Sequence, residues 1–266
     1  MYLGITRGGT MRRYIMLPLI AAMIFAASAV MIAVQPLARS AEAAPAGGIT
    51  DVRFGDHIAY ERAVFDFDAS PTGEPPRYSW RYREGDTVIR VRLPETKATA
   101  LTGGRGLGRA FSHYQVVRKD AGWLYVDLFL KGAAKNVNVF SLDDPGRIVV
   151  DVTPGAVQLS PTPVHANGVY VMSPRPGSAA GPGGMMVHGY ARPFEATGVW
   201  RIKDSGGRIV SRGTYTTADW ASTWGAYNFK VSYPASLSGQ SGTLEVGSAS
   251  ARDGAFTGAV VPLYFR

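Results

Sequence analysis

A chain of 266 residues with 46% hydrophobic and 18% charged side chains carries enough apolar material for one or two packed cores, which excludes a disordered polymer. The lack of cysteine excludes disulfides, thiolate metal sites and a lipid-modified cysteine anchor. The formal charge of +8 is too diffuse to argue for nucleic acid, and 32 glycines and 17 prolines among short β-branched and aromatic runs favour an all-β protein.

Met11-Arg12-Arg13 precedes an apolar run from Leu17 to Val34, and Ala41-Glu42-Ala43 offers small residues at both cleavage-reading positions. Residues 1–43 therefore read as a signal peptide, with Met1 or Met11 as the start. The same run approaches the lower length for crossing a bilayer, so a retained N-terminal anchor is the alternative. In either case the folded part is expected outside the cytoplasm, extracellular or wall-associated, touching the membrane only if the segment is kept. Without it, 24 basic residues face 19 acidic ones, a net +5. The four histidines, at 57, 113, 165 and 188, show no ligand spacing, and neither a metal nor another cofactor is expected.

After a lead-in over 44–48, residues 49–155 read as a first β-sandwich. Ile49–Phe54 alternates as a strand, and Arg62–Asp68 follows before a Pro/Gly turn. Arg77–Arg83 and Thr87–Leu93 flank a turn whose Gly85-Asp86 suits a type II′ hairpin. That loop pairs Trp80 with Val91, Tyr82 with Ile89 and Tyr78 with Leu93 on one face. The other face then carries Arg81, Arg83, Arg90 and Arg92. Like charges across a sheet destabilise it unless offset. Two explanations stay open: a solvated face interleaved with acids such as Asp66, Asp68 or Glu84, or an anion site using the planar guanidinium fork. The glycine-rich 102–108 stretch lacks the phosphate-loop ending and reads as a flexible loop. Strands are then expected at Tyr114–Arg118, Trp123–Leu130, Val137–Phe140 and Arg147–Val152.

The run Phe140-Ser141-Leu142-Asp143-Asp144-Pro145-Gly146-Arg147-Ile148-Val149-Val150-Asp151-Val152 resembles the last strands of AMIN-type domains, closest to the AMIN-like branch of exported actinobacterial proteins. Asp51-Val52-Arg53 and Glu61–Phe67 are similar to that family's opening strands. The resemblance implies a β-sandwich that localises proteins to the envelope, in some relatives through peptidoglycan.

Residues 156–167, with Pro161-Thr162-Pro163, read as a semi-stiff linker, across which relative domain motion is expected. Residues 168–266 form the second unit. Ser173-Pro174-Arg175-Pro176-Gly177, the Gly189–Ala196 run, Gly242–Val246 and Ser250–Gly254 occur there in order. Together they resemble the immunoglobulin-like domain of bacterial spore-germination proteins, which implies a non-catalytic sandwich. Pro193 is expected at an edge or break, with Phe194 and Ala196 pointing opposite to Glu195. Glu195 is a candidate structural lock, accepting backbone hydrogen bonds or pairing with Arg252 beside the Asp253-Gly254 turn; solvation of both charges is the alternative. Trp220, Trp224 and Tyr227 either stack on sugar rings or fill the core.

No G-x-S-x-G elbow, H-E-x-x-H or histidine cluster supports an enzyme. A carboxylate-pair hydrolase stays as a remote alternative, since spatial pairing is invisible in sequence. The expectation is a non-catalytic envelope protein of two tandem β-sandwiches, binding a cell-wall polymer or an envelope protein and no nucleic acid, with a carbohydrate-binding protein as runner-up.

Overall fold

The computed structural model describes residues 47–68, 73–82, 86–96, 99–106, 108–155 and 161–266. The expected signal or anchor segment lies outside them, and no described helix is long and apolar enough to cross a membrane. Alternating side chains dominate the described chain, and strands result. The first half supplies β1 (Ile49–Asp56), β2 (Glu61–Phe67), β3 (Ser79–Arg81), β4 (Val88–Pro94), β5 (Gly103–Arg105), β6 (Phe111–Asp120), β7 (Trp123–Leu130), β8 (Ala134–Leu142) and β9 (Arg147–Pro154). The second supplies β10 (Val164–Ala166), β11 (Val169–Ser173), β12 (Ser178–Ala180), β13 (Met185–Ala191), β14 (Thr197–Lys203), β15 (Ile209–Thr216), β16 (Trp224–Val231), β17 (Ser241–Ala249) and β18 (Phe256–Phe265).

Three sheets make two sandwiches. One sheet runs β1-β2-β9-β8, another β12-β18-β17-β14-β15, and the largest runs β10-β11-β13-β16-β6-β7-β4-β3 with β5 beside β6. The large sheet serves both lobes. Its β3, β4, β6 and β7 part packs on the four-stranded sheet around Phe65, Ile89, Phe111, Leu124 and Ile148. Its β11, β13 and β16 part packs on the five-stranded sheet around Val187, Tyr227, Ile202, Leu244 and Phe265. Each such side chain, fully buried, contributes about 1.5–3 kcal/mol of transfer free energy. The lobes meet where β16 runs parallel to β6, pairing Trp224 with Val117 and Gly225 with Arg118. Residues 161–167, expected as connector, instead enter the fold, since Val164–Ala166 pairs with β11. The lobes are thus joined by ladder and core as well as by chain.

The hairpin register is the one that the sequence implies: Ser79 opposes Arg92, Trp80 opposes Val91 and Arg81 opposes Arg90. Residues 83–85 of its turn, Arg83 among them, lie outside the described residues. The flexible-loop reading of 102–108 needs correction, because Gly103–Arg105 pairs with β6. Beside it, Gly108 takes φ +79, and a Cβ there would sit 2.4 Å from Glu61 Oε1. Glu61 is itself buried, accepting hydrogen bonds from the backbone N–H groups of Arg109, Ala110 (2.7 Å) and Phe111 (3.2 Å). A carboxylate wrapped by amides explains both the glycine and the turn.

Candidate functional site

Alternation on the large sheet leaves a second set of side chains pointing away from both cores. In the first lobe these are Val88, Arg90 and Arg92 on β4, and Trp123, Tyr125, Asp127 and Phe129 on β7. In the second they are Tyr170 and Met172 on β11, His188 and Tyr190 on β13, and Trp224 and Asn228 on β16. Because β6 and β16 pair over so short a length, the sheet turns at the junction and these two outer faces pack together. Val88, Val117, Tyr125, Phe129, Tyr170, Met172 and Tyr190 form a third apolar cluster. Phe129 lies 5.4 Å from Tyr170 and Tyr125 6.5 Å from Tyr190, ring centre to ring centre. Gln115 donates to the Tyr170 hydroxyl at 3.0 Å, and Thr223 donates across the seam to the Val116 carbonyl at 2.6 Å.

Around this seam the charges are ordered. Arg90 makes a two-pronged ion pair with Asp127, at 2.6 and 2.7 Å, and its guanidinium stacks 3.8 Å from the Tyr125 ring. Asp127 is wholly buried, and 13% of the Arg90 side chain is exposed. Arg175 reaches across the lobes, donating to Asp86 at 3.2 Å and to the Met172 carbonyl at 2.9 Å. At the far end of the seam Arg118 pairs with Asp219 at 3.3 Å.

Two cavities open between the lobes, sharing Arg90 and His188 as a common wall. One, of about 310 Å³, is bordered by Arg81, Asp86, Arg90, Arg175 and Ser173. The other, of about 340 Å³, is bordered by Arg92, Lys119, Trp123, Tyr125 and Asn228. Both lie within the range of small-molecule sites, about 300–1,000 Å³. Among these lining residues, cations outnumber the single carboxylate, Asp86. His188 is held below the usual imidazole range, first by loss of hydration and then by the charges of Arg90, Arg81 and Arg175. Burial lowers His113 and His165 as well, the His113 ring being further lowered by His165. The three histidines that look scattered in sequence therefore share one seam. His113 stacks on Phe129 at 4.2 Å and His165 on Tyr170 at 3.9 Å.

Of the predicted arginine face, Arg81 and Arg92 are exposed, each lining one cavity, and Arg90 is half-buried and lines both. Among the described residues, Asp127 offsets this face at Arg90. Asp66, one of the expected partners, pairs instead with Arg53 at 2.6 Å in the four-stranded sheet, and Asp68 accepts the Gly48 N–H at 3.1 Å. Sequence reasoning missed Asp127 because strand order, β4 beside β7, has no local signal. Alternation within Trp123–Leu130 alone places it opposite the apolar face.

The aromatic trio is not brought together. Tyr227 is buried in the second core and donates to the Tyr170 carbonyl at 2.8 Å. Trp224 packs against Tyr190 in the seam, 5.7 Å between rings, and Trp220 is half-exposed against Phe194 at 5.5 Å. The corner at Pro193 is a break, as expected, but 194–196 is a 3-10 turn with Glu195 at φ +51 and Ala196 at φ +58, so its side chains do not alternate as a strand's would. Glu195 and Arg252 are both exposed with no ion pair between them; Asp253 accepts the Ala255 N–H at 3.0 Å, and Gly254, at φ +69, closes that turn. Among the described residues no group of three or more histidine, aspartate or glutamate side chains could hold a metal ion.

The second lobe's two facing sheets have a counterpart among known families. Residues 168–255 match the immunoglobulin-like domain of bacterial spore germination. Within this spore-germination-type domain the matched stretch runs from β11 through β17, so it includes the strands that build the second wall of the cleft. No curated protein and no solved structure matches the chain.

Proposed function

We propose that this is a non-catalytic, exported protein of the cell envelope. The first lobe, read as AMIN-like, holds an anionic wall polymer such as peptidoglycan along its arginine face. The spore-germination-type lobe completes the cleft and offers outer surface to a protein partner or serves as a spacer. Export rests on the Met11–Ala43 signal pattern. One observation carries the binding reading: the arginines of β3 and β4 border cavities into which Arg175 and Lys119 also project, so cationic side chains from several elements converge on one cleft.

Cosedimentation of Ala43–Arg266, which forms one compact unit, with purified cell wall tests this directly. Retention at about 50 mM salt and release at about 500 mM is expected of contacts screened over a few ångströms. Retention that ignores salt would replace charge recognition with stacking on aromatic side chains. No retention at either salt would overturn wall association and leave the protein-contact role.

A further inference from the structure

His188 stands where both cavities meet, among cationic side chains that border them. Arg81 comes from β3, and Arg90 and Arg92 from β4. Arg175 approaches from the turn after β11, and Lys119 stands at the end of β6. Against them stand Asp86 at one cavity and Asp127 behind Arg90, the latter already committed to its ion pair. Tyr125 on β7 lines the second cavity, and Tyr190, two residues along β13, is fully buried with no partner for its hydroxyl among the described residues. Asn228, directly opposite His188 on β16, adds a neutral donor and acceptor, while Trp123 and Tyr125 give that cavity flat apolar walls.

We propose that this cleft takes an anionic group carried on a sugar-sized body, a carboxylate or a phosphate, and that His188 becomes a donor to it by taking up a proton as it binds. The inference deepens the anion-cleft reading given above, but it does not depend on which polymer the wall supplies. With the cleft empty, loss of hydration and then the surrounding guanidinium groups hold the His188 imidazole below its ordinary range and favour its neutral form. An anion seated beside Arg90, with Arg81 and Arg175 at one cavity or Arg92 and Lys119 at the other, offsets that field and stabilises the imidazolium. Binding and protonation then reinforce each other. Between the empty-cleft and occupied-cleft titration points, affinity rises as pH falls, by up to about tenfold per pH unit for one proton taken up.

The test uses Ala43–Arg266 with sodium sulfate and glucuronate, neither of which titrates in the working range, and neutral glucose as control. Isothermal titration at about pH 8 and about pH 6 should show one or both anions binding about tenfold more tightly at the lower pH, and glucose not binding. Glucuronate tighter than sulfate assigns an acidic sugar; the reverse assigns a phosphate-like group. His188→Gln should lose the pH slope, because glutamine still donates but cannot take up a proton. The His188 imidazole resonance should titrate at higher pH with sulfate present. Equal anion affinity at both pH values, glucose binding as well as glucuronate, no anion binding, or a slope that survives His188→Gln would each overturn the inference. Wall retention without pH-dependent anion binding would sink this inference and leave the proposed function standing. Anion binding without wall retention would do the reverse.

Discussion

Replacing Asp127 with alanine removes the carboxylate that pairs with the Arg90 guanidinium, and with it both hydrogen bonds, at 2.6 and 2.7 Å. What is left is a cation 13% exposed, directly across the ladder from Arg81 and beside His188. Breaking one side of a buried pair costs about 3–5 kcal/mol. The remaining stack on Tyr125, 3.8 Å away, and the partial exposure of Arg90 pull the expected loss to the low end, about 3 kcal/mol. With a urea m-value of about 2 kcal/mol per molar, the unfolding midpoint should fall by about 1.5 M. The double replacement Arg90→Met with Asp127→Leu should recover most of that, since apolar substitutes of similar volume remove the stranded charge. Equilibrium urea unfolding followed by tryptophan fluorescence reads all of these variants. A loss under about 1 kcal/mol for Asp127→Ala, or a double variant no better than the single one, would refute the reasoning.

Gly108→Ala should destabilise by about 1–3 kcal/mol in the same urea assay, because φ +79 and the Glu61 carboxylate 2.4 Å from the new Cβ both oppose it; an unchanged midpoint would mean that the amide wrap around Glu61 is dispensable. Thr223→Val should cost about 1–2 kcal/mol by leaving the Val116 carbonyl without its hydroxyl donor across the seam, and limited proteolysis should then cut between the lobes sooner. Acid should weaken the fold: His113, His165 and His188 all have folded-state values below the unfolded one, so their contribution is full above about pH 6.5 and is lost as pH falls below it. Urea midpoints taken between about pH 8 and about pH 5 should therefore decline, and a flat profile would contradict the placement of the three rings.

Local pattern carried the first stages of the structure well. The Gly85-Asp86 arithmetic fixed the β3–β4 register and put Ile89, Val91 and Leu93 on the buried face, because a two-residue hairpin leaves no freedom in pairing. The arginine face followed from the same alternation. What could not be read is whatever depends on strands distant in sequence: Asp127 opposite Arg90, β16 beside β6, and the packing of two outer faces into a cleft. Tyr227 and Trp224 illustrate the gap. They are separated by three positions in one strand, which puts them on opposite faces, one in the core and one in the seam. Likewise His113, His165 and His188 acquire a common neighbourhood only through the turn of the shared sheet.

The most direct test of the account is chemical-shift mapping of isotope-labelled Ala43–Arg266 titrated with solubilised wall fragments. The account predicts that the perturbed signals cluster on the cleft, with the Trp123 indole, the Gly189 and Asn228 amides and the Arg92 guanidinium moving together. Shifts centred on Trp220 and Phe194, or on the exposed edge strand β15, with the cleft silent, would contradict it.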